Sequence, residues 1–292
     1  MQCSQAIASA ISKSTGQEFS IARSRPLGGG CINASRLIEG HGQRYFVKLN
    51  QAKRVDMFIA ESAGLEEILH TAAIRVPTPI AYGESAGEAF LVLEYLEMSG
   101  RSSGARLGRN LAAMHRHTAS QFGWKLDNTI GSTHQPNPWT DNWINFFRDY
   151  RLTHQLRLAA QNGYKGSLQR KGESLLANLH AFYCDYQPVP SLLHGDLWGG
   201  NAATLSSGEP VIFDPAVYYG DREADLAMTE LFGGFSADFY AAYGEAWPLD
   251  EGYPVRKTLY NLYHILNHAN LFGGGYAYQS ESMIDRLLAE IA

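Results

Sequence analysis

The 292-residue chain is poor in cysteine, in clustered basic residues and in long apolar runs. Its three cysteines, Cys3, Cys31 and Cys184, are widely spaced and form neither a disulfide framework nor a zinc-binding pattern. No basic run exceeds two residues and the formal net charge is −5, which argues against nucleic-acid and anionic-membrane surfaces. No apolar run approaches the ~18 residues that span a bilayer, and the first residues do not resemble a signal peptide. We therefore expect a cytoplasmic protein that binds neither nucleic acid nor membrane.

The hydrophobic pattern differs between the two ends of the chain. Residues 19–94 contain short strand-like segments divided by glycines, with one helical stretch over residues 55–70. After Leu96 the pattern is mainly helical. The sequence therefore predicts an α+β fold of two lobes, a small β-rich one over residues 1–95 and a larger helical one over residues 96–292.

The helical half contains several separate periodic segments. Residues 137–161 predict one long aromatic-rich helix, and strand patterns return only near residues 190–196 and 209–216. The remaining predicted helices cover residues 166–186, 221–232, 254–272 and 279–291.

A glycine run and a lysine in the β-rich half suggest a phosphate site. Gly28, Gly29 and Gly30 lie between two predicted strands, where backbone N–H groups can approach phosphate oxygens closely. Lys48 follows on the next strand, and a lysine there can reach phosphates when a carboxylate from the following helix holds it. Glu61 is the candidate carboxylate.

Two other carboxylates compete with Glu61 for that lysine. Glu66 and Glu67 lie on the same predicted helix, but their positions suit a solvated face. The glycine run itself matches neither the dinucleotide fingerprint nor the P-loop, because the required third glycine and the Gly-Lys-Ser/Thr ending are missing.

The segment "LLHGDLWGGN" in the helical half contains the groups expected of a phosphotransferase. Asp196 precedes Asn201 by five positions, and Asp214 in "VIFDPA" follows Asp196 by eighteen. Phosphoryl transfer needs a carboxylate that accepts the substrate hydroxyl proton, then an amide and a carboxylate that bind Mg²⁺. Hard oxygen ligands of this kind suit Mg²⁺, which keeps waters and binds the phosphates of ATP as well.

Longer motifs resemble one particular kinase family. "LLHGDLWGGN", "FDPAVYYGDREADLAM" and "NPWTDNWINFFRDYRLTHQLRLA" together resemble the fructosamine kinase (ketosamine kinase) family, within the aminoglycoside-phosphotransferase-like kinases. The resemblance covers nearly the whole chain. It implies a protein-kinase-like fold that uses ATP and Mg²⁺ to phosphorylate a sugar hydroxyl of a small-molecule or protein-bound ketosamine. Phosphorylation would destabilise the adduct, so the resemblance implies deglycation repair.

The resemblance also assigns roles to single positions. It implies a catalytic aspartate, two metal ligands, a lysine–glutamate pair, a phosphate loop and an adenine-binding hinge. Asp196 would be the catalytic aspartate, and Asn201 and Asp214 the metal ligands. Lys48 and Glu61 would form the lysine–glutamate pair. Gly28, Gly29 and Gly30 would form the phosphate loop, and Glu94, Tyr95 and Leu96 the adenine-binding hinge.

Trp198, two residues past Asp196, could stack on the sugar or simply pack in its loop. His268 is a substrate candidate, although the pair His264 and His268 also suits the core or the edge of a cleft. Asp221 is expected to cap a helix. The resemblance suggests that some of Asp221, Arg222 and Asp225 brace the catalytic loop, which is a structural role.

Cys31 directly follows the glycine run, so local positive potential could lower its pKa and make it a redox switch, or it could be a packed strand residue. The sequence leaves the oligomeric state open between a monomer and a dimer, which a Cys31 disulfide could link.

Two other functions stay open at this point. A kinase of the same fold could act on an aminoglycoside, choline or homoserine, although the aromatic-rich C-terminal third suits a sugar–amine adduct better. A pseudokinase that only binds would be expected to lack Lys48, Asp196, Asn201 or Asp214, and all four are present. The "GESAG" of residues 83–87 matches a hydrolase motif, but a strand pattern follows it where a helix is required. We therefore predict a hairpin there.

Overall fold

The structure is a computed structural model that describes residues 2–28, 32–98 and 104–292. The chain forms two compact units. The first consists of residues 1–103 together with residues 202–215, and the second of residues 104–201 together with residues 216–292.

An antiparallel five-stranded sheet forms the centre of the first unit, with strand order β1-β2-β3-β5-β4. Val47 and Val92 are fully buried neighbours in adjacent strands, and Ile7 and Ile11 of the N-terminal helix belong to the same apolar cluster. The elements are α1 (Gln2–Thr15), β1 (Arg23–Leu27), β2 (Ala34–Gly40), β3 (Gln43–Gln51), α2 (Val55–His70), β4 (Pro79–Ser85) and β5 (Glu88–Glu94).

Helix α2 covers the residues predicted from its periodicity, and it packs on β4 and β5. The "GESAG" stretch forms the predicted hairpin, because Ala86 and Gly87 take positive φ angles of 54° and 82° in the turn between β4 and β5. A second strand pair completes the first unit, β9 (Ala202–Thr204) with β10 (Pro210–Ile212), and the backbone N–H of Ile212 donates to the Arg75 carbonyl at 3.0 Å.

The second unit is mainly helical. Its short strand pairs are β6 (Asn128–Ile130) with β7 (Thr133–Gln135), and β8 (Ser191–Leu193) with β11 (Tyr218–Gly220). Its helices are α3 (Gly104–His115), α4 (Trp143–Phe146), α5 (Thr153–Gln161), α6 (Ser167–Ala177), α7 (Arg222–Leu231), α8 (Ala237–Ala246), α9 (Tyr253–Phe272) and α10 (Tyr276–Ala289). Within the described ranges, no helix is long and apolar enough to cross a membrane.

The predicted helix over residues 137–161 was wrong at its start. The helix begins at Trp143, because the Asn142 side chain accepts a hydrogen bond from the Asn145 N–H at 2.9 Å and caps it. A six-residue π segment, Phe147–Leu152, separates α4 from α5. Helix α8 was not predicted.

Close backbone packing between α3 and α8 gives a test of the second unit. A Cβ on Gly108 would lie 2.3 Å from the Phe239 carbonyl oxygen, whereas a Cβ on Gly244 of α8 would meet nothing within 4 Å. We expect Gly108→Ala to lower the free energy of unfolding by about 1–3 kcal/mol, because the two helices must separate. The matched control Gly244→Ala should raise it by about 0.5–1 kcal/mol. Urea unfolding of both variants measures this, and equal effects would contradict the packing.

Candidate active site

Lys48 on β3 forms two ion pairs inside the first unit. Its Nζ lies 2.6 Å from Glu61 Oε1 on α2 and 2.6 Å from Asp214 Oδ1, and its side chain is 5% exposed. Burial alone would lower the pKa of Lys48, but the charges of Asp214 and Glu61 raise it above its ordinary value. Lys48 is therefore a fixed cation.

Glu61, and not its competitors, reaches the lysine. Glu61 is 10% exposed in its side chain, whereas Glu66 points to solvent. Burial and the nearby charge of Asp214 raise the pKa of Glu61, and Lys48 opposes this. Two carboxylates share one ammonium, so the cluster has an excess of negative charge.

Asp214 takes an uncommon backbone conformation. Its φ is 58°, in the left-handed region that few residues other than glycine adopt. Its Oδ1 accepts from Lys48, and the side chain remains 44% exposed. Strained backbone of this kind often occurs where a side chain must be aimed. The turn thus holds a half-exposed carboxylate beside a buried cation.

The loop that contains Asp196 follows β8 in the second unit. Gly195 has a φ of 81°, and a Cβ there would lie 2.1 Å from the Ala216 carbonyl oxygen, so only glycine fits. Asn201 donates from Nδ2 to the Asp196 carbonyl at 2.9 Å and to Asp196 Oδ2 at 3.3 Å. Because Nδ2 is engaged, the amide of Asn201 has only its oxygen, Oδ1, to offer a cation.

Asp225 of α7 fixes the start of this loop. Its carboxylate accepts the backbone N–H groups of His194 at 2.7 Å and Gly195 at 2.8 Å, and it lies 3.1 Å from His115 Nε2. Burial would raise the pKa of Asp225, but the hydrogen bonds and the nearby histidines hold it below its ordinary value. Nothing in the local sequence pattern around His115 indicates this contact.

Asp221 caps α7 as predicted, because its side chain accepts the Glu223 N–H at 3.0 Å. The predicted hinge begins at Glu94, the last residue of β5, and continues through Tyr95 and Leu96. Glu94 Oε2 accepts from Arg75 at 2.6 Å, and the Tyr95 ring lies 4.8 Å from the Arg44 guanidinium. Leu96 is half-buried.

Of the predicted phosphate loop, only Gly28 is described; Gly29, Gly30 and Cys31 lie outside the described residues. A Cβ on Gly28 would meet nothing within 4 Å. Packing therefore does not require glycine at position 28. Cys3 and Cys184, the two described cysteines, are free thiols.

The two substrate candidates belong to one aromatic cluster in the second unit. The Trp198 ring centroid lies 6.1 Å from Phe232, which lies 5.0 Å from His268. Trp198 is 38% exposed, so part of its ring is available to stack on a sugar. The ring also packs within its own loop, because a Cβ on Gly200 would lie 2.3 Å from it, so both interpretations of Trp198 stay predictions.

His264, one helical turn before His268, gives a pH test. Burial lowers the pKa of His264 from 6.5 to about 3, so the folded protein keeps it neutral where the unfolded chain binds a proton. Its stabilising contribution is complete above about pH 6.5 and is lost as the pH falls towards 3. We expect urea unfolding of His264→Leu to show a weaker loss of stability between pH 6 and pH 4. The difference from wild type should be about 1.4 kcal/mol per pH unit inside that window. Parallel curves for the two proteins would contradict this.

The fold is that of the protein-kinase-like phosphotransferases. A choline kinase from Streptococcus pneumoniae matches it with a TM-score of 0.67 at 14% identity, covering 98% of both chains. Such enzymes use a lysine on a β-strand that is paired with a glutamate on a helix. They also use a separate loop that holds an aspartate and an asparagine. The predicted two-lobed kinase fold class is confirmed.

The family is narrower than the fold. The sequence profile of the fructosamine kinase family matches residues 3–290, and the chain belongs to this family. It is 53% identical to a Synechocystis protein described as a ketoamine kinase, over 97% of this chain and 96% of that protein. It is 42% identical to a protein-ribulosamine 3-kinase of Arabidopsis thaliana, over 94% of this chain and 85% of that protein.

A solved structure agrees with this assignment. The crystal structure of a Haemophilus somnus protein described as a fructosamine-3-kinase matches with a TM-score of 0.89 at 30% identity, covering 97% of this chain and 96% of the other. The predicted enzyme class, a phosphotransferase, and the predicted family are both confirmed.

Proposed function

We propose that this protein uses ATP and Mg²⁺ to phosphorylate a sugar hydroxyl of ketosamines. The observation that carries the proposal is the ion-paired cluster of buried Lys48, largely buried Glu61 and half-exposed Asp214, in a chain 53% identical to a ketoamine kinase. A buried ion pair often stabilises a fold no more than apolar residues of similar volume would, and phosphates are the ligands that such a lysine serves in kinases.

Asp196 is the proposed base. It would accept the proton of the attacking hydroxyl, a role that contributes a factor of roughly 10²–10⁴ in rate. Asn201 holds Asp196 through its amide, and Asp225 holds the two preceding N–H groups, so the carboxylate is positioned before substrate arrives. Lys48 would stabilise the negative charge on the transferred phosphoryl group.

The proposed metal ligands fit Mg²⁺ by their chemistry. Asp214 offers a half-exposed carboxylate in a cluster with excess negative charge, and Asn201 offers its amide oxygen. Both are hard oxygen donors. When bound, Mg²⁺ would neutralise phosphate charge. In the described part of the chain, no group of three or more His, Cys, Asp or Glu residues could bind a metal, and two protein ligands suffice for a metal that arrives with a nucleotide.

The nucleotide would bind to the β-rich part of the chain. We propose that residues 28–30 approach the phosphates and that the backbone of residues 94–96 receives the adenine. The Glu94 side chain is engaged by Arg75, so this role falls to the main chain of the hinge. Residues 1–95 then serve nucleotide binding, and residues 96–292 serve substrate binding and most of the catalysis.

The consequence for the substrate follows from its chemistry. A phosphate ester on a carbon near the ketone is a good leaving group. With the phosphate on the carbon next to the ketone, loss of a proton from the nitrogen-bearing carbon gives an enaminol, which expels inorganic phosphate. The product is an imine at the nitrogen-bearing carbon, and water hydrolyses it to the free amine and a deoxy-dicarbonyl sugar. The proposed role is therefore deglycation repair, in the cytoplasm.

The second candidate function is phosphorylation of choline, an aminoglycoside or homoserine by a kinase of the same fold. A substrate panel distinguishes the two functions. We expect Mg²⁺-dependent ADP release with ribulosyl-lysine, fructosyl-lysine or erythrulosyl-lysine, and none with kanamycin, choline or homoserine. Asp196→Ala serves as the blank. Turnover only with kanamycin, choline or homoserine would show that this compound, and not a ketosamine, represents the substrate class. ATP binding with no turnover on any of them would favour a binding protein.

A further inference from the structure

The aromatic rings near the catalytic loop extend well beyond a single sugar. We call Trp198, Phe232, His268, Phe272 and Tyr276 the aromatic cradle. The His268 ring lies 5.0 Å from Phe232, 5.5 Å from Phe272 and 5.2 Å from Tyr276, between ring centroids. Trp198 adjoins Phe232 at 6.1 Å. The cradle therefore starts at Trp198, two residues from Asp196, and includes four further rings.

The same short sequence places both phenylalanines of the cradle. Leu-Phe-Gly-Gly occurs at residues 231–234 and again at residues 271–274, and each copy ends a helix. All four glycines have positive φ, between 63° and 98°, and accordingly α7 ends just before Phe232 and α9 ends at Phe272. Phe232 and Phe272 stay 37% and 57% exposed as a result. Large exposed aromatic side chains at paired helix ends indicate a binding surface rather than packing.

The tautomer of His268 determines what the cradle can bind. His268 Nδ1 lies 2.8 Å from the His264 carbonyl oxygen, which can only accept, so Nδ1 carries the proton. In the neutral ring Nε2 is then an acceptor. The cradle thus combines a hydrogen-bond acceptor with several π faces, which together suit an N–H-bearing cation.

We propose that the aromatic cradle binds the protonated secondary amine of the ketosamine, together with the first carbons of its amine carrier. This proposal rests on the proposed function, because it concerns the far end of the same substrate. The sugar end must lie near Asp196 and Trp198. The nitrogen is only a few bonds from any sugar hydroxyl, so the amine falls on the next rings. Cation–π contacts and Nε2 of His268 would bind the ammonium without a carboxylate.

The test distinguishes binding of the ammonium by aromatic π faces from binding of the substrate by apolar surface alone. Phe232→Leu and Phe272→Leu keep an apolar side chain but remove the π face. Each should raise KM for ribulosyl-lysine about three- to tenfold, with kcat and KM for ATP unchanged. An analogue in which an ether oxygen replaces the linking nitrogen should change its KM less than twofold in the same variants. Tyr278→Leu, at an 81% exposed position on α10, is the matched control. It should leave KM for ribulosyl-lysine and KM for the ether analogue unchanged.

An equal rise in KM for the amine and the ether would overturn the proposal, as would no rise for either. A second measurement tests the aromatic cradle independently of the proposed function. Saturation-transfer NMR with Nε-methyl-lysine reads ammonium binding without turnover. Weaker binding to Phe272→Leu than to wild type supports the cradle even if no ketosamine is phosphorylated, and equal binding overturns it. Absence of ketosamine turnover by the wild type would overturn the proposed function only.

Discussion

Asp196→Ala is expected to lower kcat by a factor of roughly 10²–10⁴ while ATP binds as tightly as to the wild type. The reason is that Asp196 is proposed to receive the substrate proton and not to bind nucleotide. The loop should keep its shape, because Asn201 still donates to the backbone carbonyl of residue 196 and Asp225 still holds the two N–H groups before it. Steady-state kinetics with calorimetry of ATP binding makes the measurement.

Two further variants sharpen this result. Asp196→Asn keeps the size of the side chain but removes its basicity, so it should lose nearly as much activity. Asp185→Ala removes an exposed aspartate outside the site and should behave as wild type. A collapse of ATP affinity in Asp196→Ala, with normal turnover of the bound fraction, would show that Asp196 is a nucleotide ligand instead.

Lys48→Met is expected to lower kcat/KM for ATP by about 10²–10³, because a preorganised cation facing the phosphates is removed. The variant should also lose stability, since Glu61 and Asp214 then face each other without a cation. We expect about 2 kcal/mol, less than for a fully buried pair, because the Asp214 side chain is 44% exposed. The loss should be smaller at pH 5 than at pH 8, because Glu61 can take up a proton.

Adding Glu61→Gln to Lys48→Met tests the cause of that destabilisation. The double variant should recover much of the lost stability and none of the activity. A double-mutant cycle on urea unfolding gives the coupling energy between the two residues directly. Additive effects would mean that the short contact between Lys48 and Glu61 contributes nothing to the stability of the fold.

The sequence predicted well where the signal was local. The apolar spacing of α2 gave both of its ends, and "GESAG" between two strand patterns gave the β4–β5 hairpin. Lys48 and Glu61 were paired correctly because a strand and the following helix bring them together by short-range geometry. Motif spacing, supported by family resemblance, placed Asp196 and Asn201 in one loop, and the structure brings the two residues into contact there. Their catalytic and metal-binding roles stay predictions.

Long-range contacts could not be predicted in this way. His115 meets Asp225 across 110 positions, and no local pattern indicates such a pair. The π segment is a second example. Arg151 within this segment is fully buried, with its guanidinium 4.1 Å from the Tyr218 ring and 4.6 Å from the Phe146 ring. The chain therefore leaves the regular α-helical geometry where it packs a buried cation against two aromatic rings. A periodicity argument treats such a residue as solvent-facing.

The central claim is that the protein transfers phosphate from ATP to the sugar of a ketosamine. The most direct measurement is mass spectrometry of a ribulosamine-bearing peptide incubated with the enzyme, ATP and Mg²⁺. The account predicts that the adduct gains one phosphate group, and that the unmodified amine then appears, with neither change in the Asp196→Ala sample. Consumption of ATP while the adduct keeps its original mass would contradict the claim.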